Sequence, residues 1–214
     1  MTDAPEAPEI LLLRVRENAA RADRDADSLS EEERARAEVF QRPADRERFL
    51  VAHTALRREL AHRTGFAPAD VPLVRAHCPV CGGPHGRPGV AGDPLHFSLS
   101  HAGDVVLLAF AGVPVGVDVE AEPSVAVVED VARALHPRER DELGAQAPAG
   151  RPAAFARCWT RKEAYLKGTG TGLAEEPSVT YVGTGEPPAE PPGWRIGDIA
   201  APEGYAAAWA CRRG

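Results

Sequence analysis

The residues most suited to chemistry are the two acidic side chains in GVDVE, residues 116–120. Valines alternate with Asp118 and Glu120, which predicts a β-strand with the valines on one face and both carboxylates on the other. Residues two apart on a strand are separated by roughly 6.6 Å, so both carboxylates could reach one hard cation. Mg²⁺ suits this pattern, because it commonly uses one or two protein carboxylates and takes its other ligands from water and phosphate. A strand with one solvated polar face explains the same spacing, and the segment alone favours that interpretation.

A second set of candidate residues lies in WTRKEAYLKGTGTGL, residues 159–173. Trp159, Glu163 and Lys167 recur at intervals of four, which places them along nearly one face of a predicted helix. A Glu–Lys pair at this spacing is commonly a weak surface interaction of a few tenths of a kcal/mol. The glycines that follow provide a flexible backbone beside the charged edge, but they do not form the GxGxxG pattern of a dinucleotide fold.

The elements that precede these residues follow from periodicity and turn signals. Residues 11–16 predict a short opening strand, followed by a polar connection. A Ser-to-Glu capping box predicts a helix from residue 31 to about 41, and apolar residues at helical spacing predict another from about 44 to 63. The stretch 65–94 is rich in glycine and proline and is interpreted as loop.

The middle of the chain changes to strand periodicity. Residues 95–120 predict a meander of three strands separated by two tight turns. A helix is then expected from about residue 125 to 135, with Val127, Val128, Val131 and Leu135 facing inward. Pro137 could open a further short helix that runs through Leu143.

The remaining elements complete the predicted fold. The helix that carries Glu163 and Lys167 is expected to begin near Pro152, and residues 178–182 and 205–211 are predicted to close the chain as strands. Strands and helices thus occur once before about residue 110 and again after it. This order predicts an α+β architecture of two halves.

Composition limits the class of protein. The chain has 214 residues, 43% of them hydrophobic, and a formal charge of −7, which argues against a general nucleic-acid-binding protein. Its sequence lacks a run of about 20 apolar residues and its start lacks a secretory signal pattern, so we expect a cytoplasmic protein without a membrane span. The four cysteines are expected to be reduced, and Cys158 and Cys211 are interpreted as core residues.

Taken together, GVDVE and WTRKEAYLKGTGTGL resemble the two-part signature of the Sfp-type 4'-phosphopantetheinyl transferases. That pattern is G-[VI]-D-[VLI]-E followed, tens of residues later, by W-[ST]-x-K-E-[AS]-x-x-K-x-x-G-x-G, and every fixed position is filled. The segments SLSHAGD, HGRPGV and FQRPADRERFLVAHTALRREL are also similar to segments of the family, so the resemblance runs from about residue 30 to 173.

The resemblance implies a reaction and a fold. The family transfers phosphopantetheine from coenzyme A to a serine of an apo acyl or peptidyl carrier protein, releasing adenosine 3',5'-bisphosphate. The resemblance also implies an α+β fold of two similar α/β halves in a pseudo-two-fold arrangement, with the active site in the cleft between them. Residues 1–110 would bind the nucleotide and phosphates of coenzyme A, and 111–214 would bind Mg²⁺ and carry catalysis. Members of this length are typically monomers.

The resemblance also implies roles for the residues of the second half. Asp118, Glu120 and Glu163 would hold Mg²⁺ together with the pyrophosphate of coenzyme A, and the metal would neutralise charge on the transferred phosphoryl group. Glu163 would also act as the general base toward the serine hydroxyl, directly or through water. Lys167 would stabilise the departing bisphosphate. Lys162 is a weaker candidate for positioning phosphate, because its helical angle points away.

Residues of the first half match family positions that contact the adenosine bisphosphate portion of coenzyme A. These are Arg36, Arg48, Arg87, Ser100 and His101. Arginine suits the role because its guanidinium binds phosphate oxygens in pairs. Arg87 stands where many relatives have lysine, and a half-buried structural histidine is the alternative interpretation of His101.

Two further features leave alternatives open. Glu139 aligns with an acidic residue that some relatives carry near the metal, and it could be an alternative base, although a helix-surface position explains it more simply. The segment HCPVCGGPH, residues 77–85, contains half of a zinc-knuckle pattern, with His77 and His85 as further candidate ligands. The second cysteine pair is missing, and a tight loop that presents Arg87 is the plainer account.

The sequence is therefore compatible with three functions. The first is the Mg²⁺-dependent transferase. The second is a module that binds coenzyme A or a carrier protein without chemistry, and the third is a zinc-stabilised interaction module built on residues 77–85. Carrier proteins are usually acidic, as is this chain, so docking must use a local patch, and residues 125–135 are suggested as part of it.

Overall fold

The computed structural model describes residues 7–84, 86–92 and 94–214, and for Leu173 only the backbone. The first half contains four helical and strand elements before residue 65 and four strands after it. These are β1 (Glu9–Arg14), α1 (Val15–Arg24), α2 (Glu31–Glu38), α3 (Pro43–Thr64), β2 (Leu73–Arg75), β3 (Pro88–Val90), β4 (His96–Ala102) and β5 (Val105–Ala111). The second half contains β6 (Val115–Ala121), α4 (Val125–Val131), α5 (Pro137–Ala145), α6 (Arg151–Thr169), β7 (Trp194–Asp198) and β8 (Tyr205–Arg212).

Two antiparallel sheets of three strands form the framework. The first has the order β1-β5-β4 and the second the order β6-β8-β7, while β2 and β3 pair separately as a small hairpin. The mixed helix-and-strand architecture is as predicted. The pseudo-two-fold relation of the two halves stays a prediction.

Each sheet is covered on one face by a long helix. Helix α3 begins with Pro43 at its first position and ends at Gly65, whose φ of 80° provides the left-handed cap. It packs Phe49, Leu56 and Leu60 against Val106 and Leu108 of β5. Helix α6 packs on the second sheet, where Ala208 and Ala210 of β8 lie in its core. Burial of each large apolar side chain stabilises such a layer by roughly 1.5–3 kcal/mol.

A third cluster joins the two sheets. Alternate residues of β5 face alternate residues of β6, and all of them are buried: Val105, Leu107, Ala109, Val115, Val117 and Val119. The valines of the acidic strand therefore pack inward as predicted. Their burial fixes the register of β6, because a shift by one residue would turn the carboxylates into the core.

Several elements differ from the sequence prediction in the first half and the middle. The segment predicted as a polar connection forms α1, in which short apolar side chains at Val15 and Ala22 are buried. The loop 65–94 contains the β2–β3 hairpin. The third strand of the predicted meander does not join β4 and β5, because β6 forms its ladder with β8.

Two further predictions are wrong, namely the burial of Val127 and Val131 and the strand at residues 178–182. Val127 and Val131 are 46% and 37% exposed, whereas Val128 and Leu135 are buried as expected. Residues 178–182 form no strand, because their backbone is bound by a buried ion pair described below. The strand that follows α6 in the chain is instead β7, in which the alternating residues Trp194 and Ile196 are buried. Within the described residues, no helix has both the length and the apolar character needed to cross a membrane.

Candidate active site

Asp118 lies at the centre of the candidate site and is 2% exposed. Its Oδ1 accepts hydrogen bonds from Lys167 Nζ at 2.6 Å and from Ser100 Oγ at 2.8 Å. Its Oδ2 is buried and has no hydrogen-bond partner among the described residues. A buried carboxylate oxygen without a partner is costly, so this oxygen is available to a ligand that the protein itself does not supply.

Two glycines allow β6 and α6 to approach closely enough to build this site. A Cβ at Gly116 would overlap Ala164 O of α6 and would lie 2.5 Å from Gly168 N. A Cβ at Gly168 would lie 2.7 Å from the Trp194 ring. Gly116 occupies a fixed position of the first motif, whereas Gly168 stands at a variable position of the second, and neither glycine was predicted to be functional.

Serine side chains connect the acidic strand to β4 of the first sheet. Val117 N donates to Ser98 Oγ at 3.1 Å, and Val119 N donates to Ser100 Oγ at 3.4 Å. Ser100 Oγ also lies 3.0 Å from Lys167 Nζ. Ser100, predicted as a coenzyme A contact, therefore lies within the acidic site and orients Asp118.

The carboxyls of Glu120 and Glu163 both have raised pKa values. Partial desolvation is the main cause for Glu120, although the residue is exposed at the end of β6; the negative charges of Asp118 and Glu163 add to it and Lys167 opposes it, so that the pKa is about 7. Burial and the charge of Asp118 raise the pKa of Glu163, again against Lys167. A bound cation would lower both pKa values, because it favours the ionised form of each group.

The candidate donors are of the type that a hard divalent cation requires. Asp118, Glu120 and Glu163 offer carboxylate oxygens, the ligand type that Mg²⁺ prefers. Among the residues that the structure describes, no group of three or more acidic, histidine or cysteine side chains is gathered closely enough to hold a metal by itself. The donors fit an ion that takes part of its coordination from a bound phosphate, and the three-carboxylate set stays a prediction.

Arg87 lies beside the end of α6 that carries Lys167. Its Nη1 donates to Gly168 O at 2.9 Å. Burial, and then the charge of Arg212, lower its pKa. The structure thus brings Arg87 from the β2–β3 hairpin to the helix of the acidic site.

Arg48 and His101 form a separate basic group at the end of β4. Arg48 Nη1 donates to Gly103 O at 3.3 Å, and its Nη2 is paired with Asp45. The Arg48 Nε is buried and has no partner among the described residues. Partial desolvation of the ring, and then the charges of Arg48, His53 and Lys167, lower the pKa of His101. The residue as a whole is exposed, so the half-buried structural interpretation of His101 is not supported.

Arg36 does not lie in the acidic site but on a large open cavity of the first half. The cavity has a volume of about 900 Å³ and lies between α2, α3 and the strands β2 to β4. The Arg36 guanidinium lies 5.9 Å from the centre of the Phe49 ring, and both residues line the cavity together with His53. The acidic residues of β6 are not part of its wall.

The structure places Lys162 and Glu139 inside the protein, where they form an ion pair with each other. Lys162 is 2% exposed, and its Nζ lies 2.7 Å from Glu139 Oε2 and 2.5 Å from Thr180 O. Glu139 is fully buried, and its Oε1 accepts from Val182 N and Gly183 N at 2.8 and 3.2 Å. The pair therefore fixes the segment 178–183, which explains the absence of a strand there. The expectation that Glu139 lies on the surface of a helix is therefore wrong.

The cysteine-containing loop offers no complete metal site among the described residues. Cys78 is buried and Cys81 exposed, and His77 Nδ1 lies 2.9 Å from Gly82 O. His85, the other histidine considered for zinc, lies outside the described residues. All four cysteines are thiols, and Cys158 and Cys211 are buried as predicted.

A sequence model described as the 4'-phosphopantetheinyl transferase superfamily matches residues 114–206, which include both acidic elements of the candidate site. Curated relatives extend the similarity beyond this segment. The 4'-phosphopantetheinyl transferase HetI of Nostoc sp. is 30% identical over 190 residues, which cover 86% of this chain and 78% of that protein.

Other relatives carry the same activity in their names. A 4'-phosphopantetheinyl transferase of Bacillus subtilis is 27% identical over 158 residues, covering 73% of this chain and 67% of the relative. A Synechocystis sp. protein, named provisionally with this activity, is 32% identical over 151 residues, which cover 68% of this chain. The match spans 58% of the Synechocystis protein.

Proposed function

Because this chain belongs to the 4'-phosphopantetheinyl transferase superfamily, we propose that it transfers phosphopantetheine from coenzyme A to a serine of an acyl or peptidyl carrier protein. Adenosine 3',5'-bisphosphate is the other product. The observation that carries the proposal is the buried Asp118, in which one oxygen accepts a hydrogen bond from Lys167 and the other has no partner among the described residues.

Mg²⁺ held by Asp118, Glu120 and Glu163 would neutralise negative charge on the pyrophosphate of coenzyme A. Support comes from the raised pKa values of the two glutamates and from Asp118 Oδ2, for which the described residues provide no hydrogen-bond partner. The negative charge of Asp118 disfavours ionisation of Glu120 and Glu163, and a divalent cation would relieve that repulsion.

Lys167 and Glu163 have separate roles in the proposed reaction. An ammonium has three N–H donors, and the structure shows Lys167 donating to Asp118 and lying close to Ser100, which leaves donor capacity for a leaving phosphate. Glu163 accepts the proton of the attacking serine hydroxyl, directly or through a water molecule.

The first half binds the nucleotide end of coenzyme A in this proposal. Arg48 and His101 form one group near the acidic site, and Arg36 lies on the large cavity. The buried Arg48 Nε, which has no partner within the part of the chain that the structure describes, is consistent with an anionic ligand at this position. Arg87 completes the phosphate-facing set from the side of α6.

The carrier protein docks on α4 in this proposal. Val125, Val127 and Val131 are exposed apolar residues on this short helix. Val131 also lines a depression of about 240 Å³ whose wall includes Phe155, Trp159 and Glu120. An apolar surface that continues to a proposed metal ligand would place the carrier serine beside the reacting phosphate.

The test is incubation of the protein with coenzyme A, Mg²⁺ and a panel of apo carriers, followed by intact mass measurement of each carrier. We expect one phosphopantetheine to be added, and Glu163→Gln and Asp118→Asn to lose this transfer. Glu122→Gln, an exposed glutamate two residues beyond Glu120, is the matched control and should retain it.

A module that binds coenzyme A without chemistry is the competing function. Tight binding of coenzyme A by calorimetry, with no added mass on any fatty-acid, polyketide or peptide carrier, would favour that module over the transferase.

A further inference from the structure

The segment CPVCG, residues 78–82, has no part in the proposed transfer reaction. It lies in the connection between β2 and β3 and is folded by two backbone hydrogen bonds. Gly82 N donates to Cys78 O at 2.8 Å, and Cys78 N donates to Gly83 O at 2.7 Å. These bonds close a tight turn that carries both cysteines.

Cys78 and Cys81 are three residues apart within this hydrogen-bonded turn, a spacing that places their α-carbons within about 7 Å of each other and so within the range that a disulfide spans. The backbone N–H groups of Cys81 and Val80 are directed at the Cys78 sulfur, and the Cys81 thiol is hydrogen-bonded to it as well. These contacts lower the pKa of Cys78. Thiolate, the nucleophilic form of cysteine, is therefore favoured at the sulfur that already contacts its neighbour.

The two cysteines differ in access to solvent. Cys81 is exposed, whereas Cys78 is buried beneath the turn. A reagent from solution therefore reaches Cys81 first, and Cys78 can react only with a group that is already attached to Cys81. This is the arrangement of an entry thiol and a resolving thiol.

We propose that Cys78 and Cys81 form a redox-active pair that closes to a reversible disulfide on reaction with a low-molecular-weight disulfide. In the first step the Cys81 thiolate attacks the reagent, giving a mixed disulfide and releasing one thiol. In the second step the Cys78 thiolate attacks the Cys81 sulfur, forming the Cys78–Cys81 bond and expelling the second thiol. The protein pair loses two protons and two electrons, and the reagent gains them as two thiols.

The location of the pair connects it to the candidate active site. The strands that lead to and from the turn are held together at Ala76, whose N donates to Arg87 O and whose O accepts from Gly86 N, both at 2.9 Å. Arg87 in turn donates to Gly168 O of α6. A disulfide at the tip would constrain the same connection that presents Arg87.

The test uses the full-length protein, reduced and freed of reductant, with oxidised glutathione as the reagent. Thiols are counted after denaturation, and the intact mass is measured. We expect the four thiols to fall to two, a mass lower by two hydrogens, and full reversal by dithiothreitol. Cys158 and Cys211 are internal controls, because both are buried and burial raises the pKa of each.

Single variants separate the two roles. Cys78→Ser should accumulate a stable glutathione adduct at Cys81, because no resolving thiol remains. Cys81→Ser should take up no glutathione, since the buried Cys78 is out of reach. The proposal is overturned if the wild-type protein keeps four thiols, if it stops at the mixed disulfide, or if the two thiols hold one equivalent of Zn²⁺ that blocks oxidation. None of these readouts depends on transferase activity.

Discussion

Lys167 Nζ lies 2.6 Å from Asp118 Oδ1 and joins the C-terminal part of α6 to the middle of β6. The two side chains differ greatly in exposure, with 3% for Asp118 and 32% for Lys167. The lysine therefore neutralises a buried carboxylate at one side of its amine and meets solvent at the other. This is the geometry expected of a side chain that a bound phosphate can reach without rearrangement of the core.

Lys167→Met tests the role of this amine. The variant keeps the length of the side chain and removes its charge, so we expect the kcat/KM for carrier modification to fall by about 100-fold or more, as for loss of a preorganised donor at a reacting oxyanion. Mass analysis of the carrier over time gives the rate. Arg140→Met, an exposed cation of α5, is the control. An unchanged rate for a folded Lys167→Met would contradict the assignment.

Gly116→Ala tests the close approach of β6 and α6. The added Cβ would meet backbone atoms of Ala164 and Gly168, which cannot move away as a flexible side chain could. We expect the free energy of unfolding to fall by about 1–3 kcal/mol and the transfer rate to fall with it. Urea denaturation measures the first. Gly144→Ala in α5 is the control, because its Cβ would have no atom within 4 Å and alanine favours helix.

Lys162→Met distinguishes a structural lysine from a phosphate ligand. Removal of the amine leaves Glu139 buried and without its counter-charge, so we expect a loss of about 3–5 kcal/mol in the free energy of unfolding. The double variant Lys162→Met/Glu139→Gln should recover part of this loss, because the buried charge is gone. A stable single variant with a raised KM for coenzyme A would instead support the phosphate-binding hypothesis.

Glu33 should make the free energy of unfolding depend on pH in the acidic range. Burial alone would raise its pKa, but hydrogen bonds from His53, Ser30 N and Arg57 outweigh burial and lower the pKa to about 2 from 4.5. The folded state thus favours the carboxylate, and this contribution is complete above about pH 4.5 and is lost as the pH falls toward 2. Glu33→Gln should cost about 2 kcal/mol at pH 7.

The measurement for Glu33 is urea denaturation of both proteins from pH 7 to 3. The difference between wild type and Glu33→Gln should shrink as the pH falls. Glu32→Gln, an exposed neighbour in the first turn of α2, should show no such trend. A constant difference across this range would show that the Glu33 pKa is not lowered.

Val127→Asp tests the docking surface on α4. A charge at this exposed position should raise the KM for the carrier by about tenfold, equivalent to about 1.4 kcal/mol, and leave the KM for coenzyme A unchanged. Val179→Asp, at a valine that is 64% exposed elsewhere on the surface, is the control. Val128 is unsuitable, because it is buried and its substitution would disturb the fold. An unchanged carrier KM would remove α4 from the interface.

Much of the local structure could be predicted because it depends on local signals. The capping box of Ser30 and Glu33 forms as expected, and both hydrogen bonds of the box are present. Gly65 ends α3, and α6 begins one residue before Pro152. Helix α1 was missed because its buried positions are mainly small, so its periodicity was weak beside its charges.

The sequence by itself determined the family, the helices that bear the candidate residues, and the alternation of valine and carboxylate on β6. Tertiary structure alone decided that β6 pairs with β8, that Lys162 turns inward to Glu139, and that Ser100 and Lys167 converge on one oxygen of Asp118. Periodicity reports which face of an element is apolar, but partners distant in sequence depend on how whole faces pack. The partner of a buried charge is therefore decided only when the layers meet.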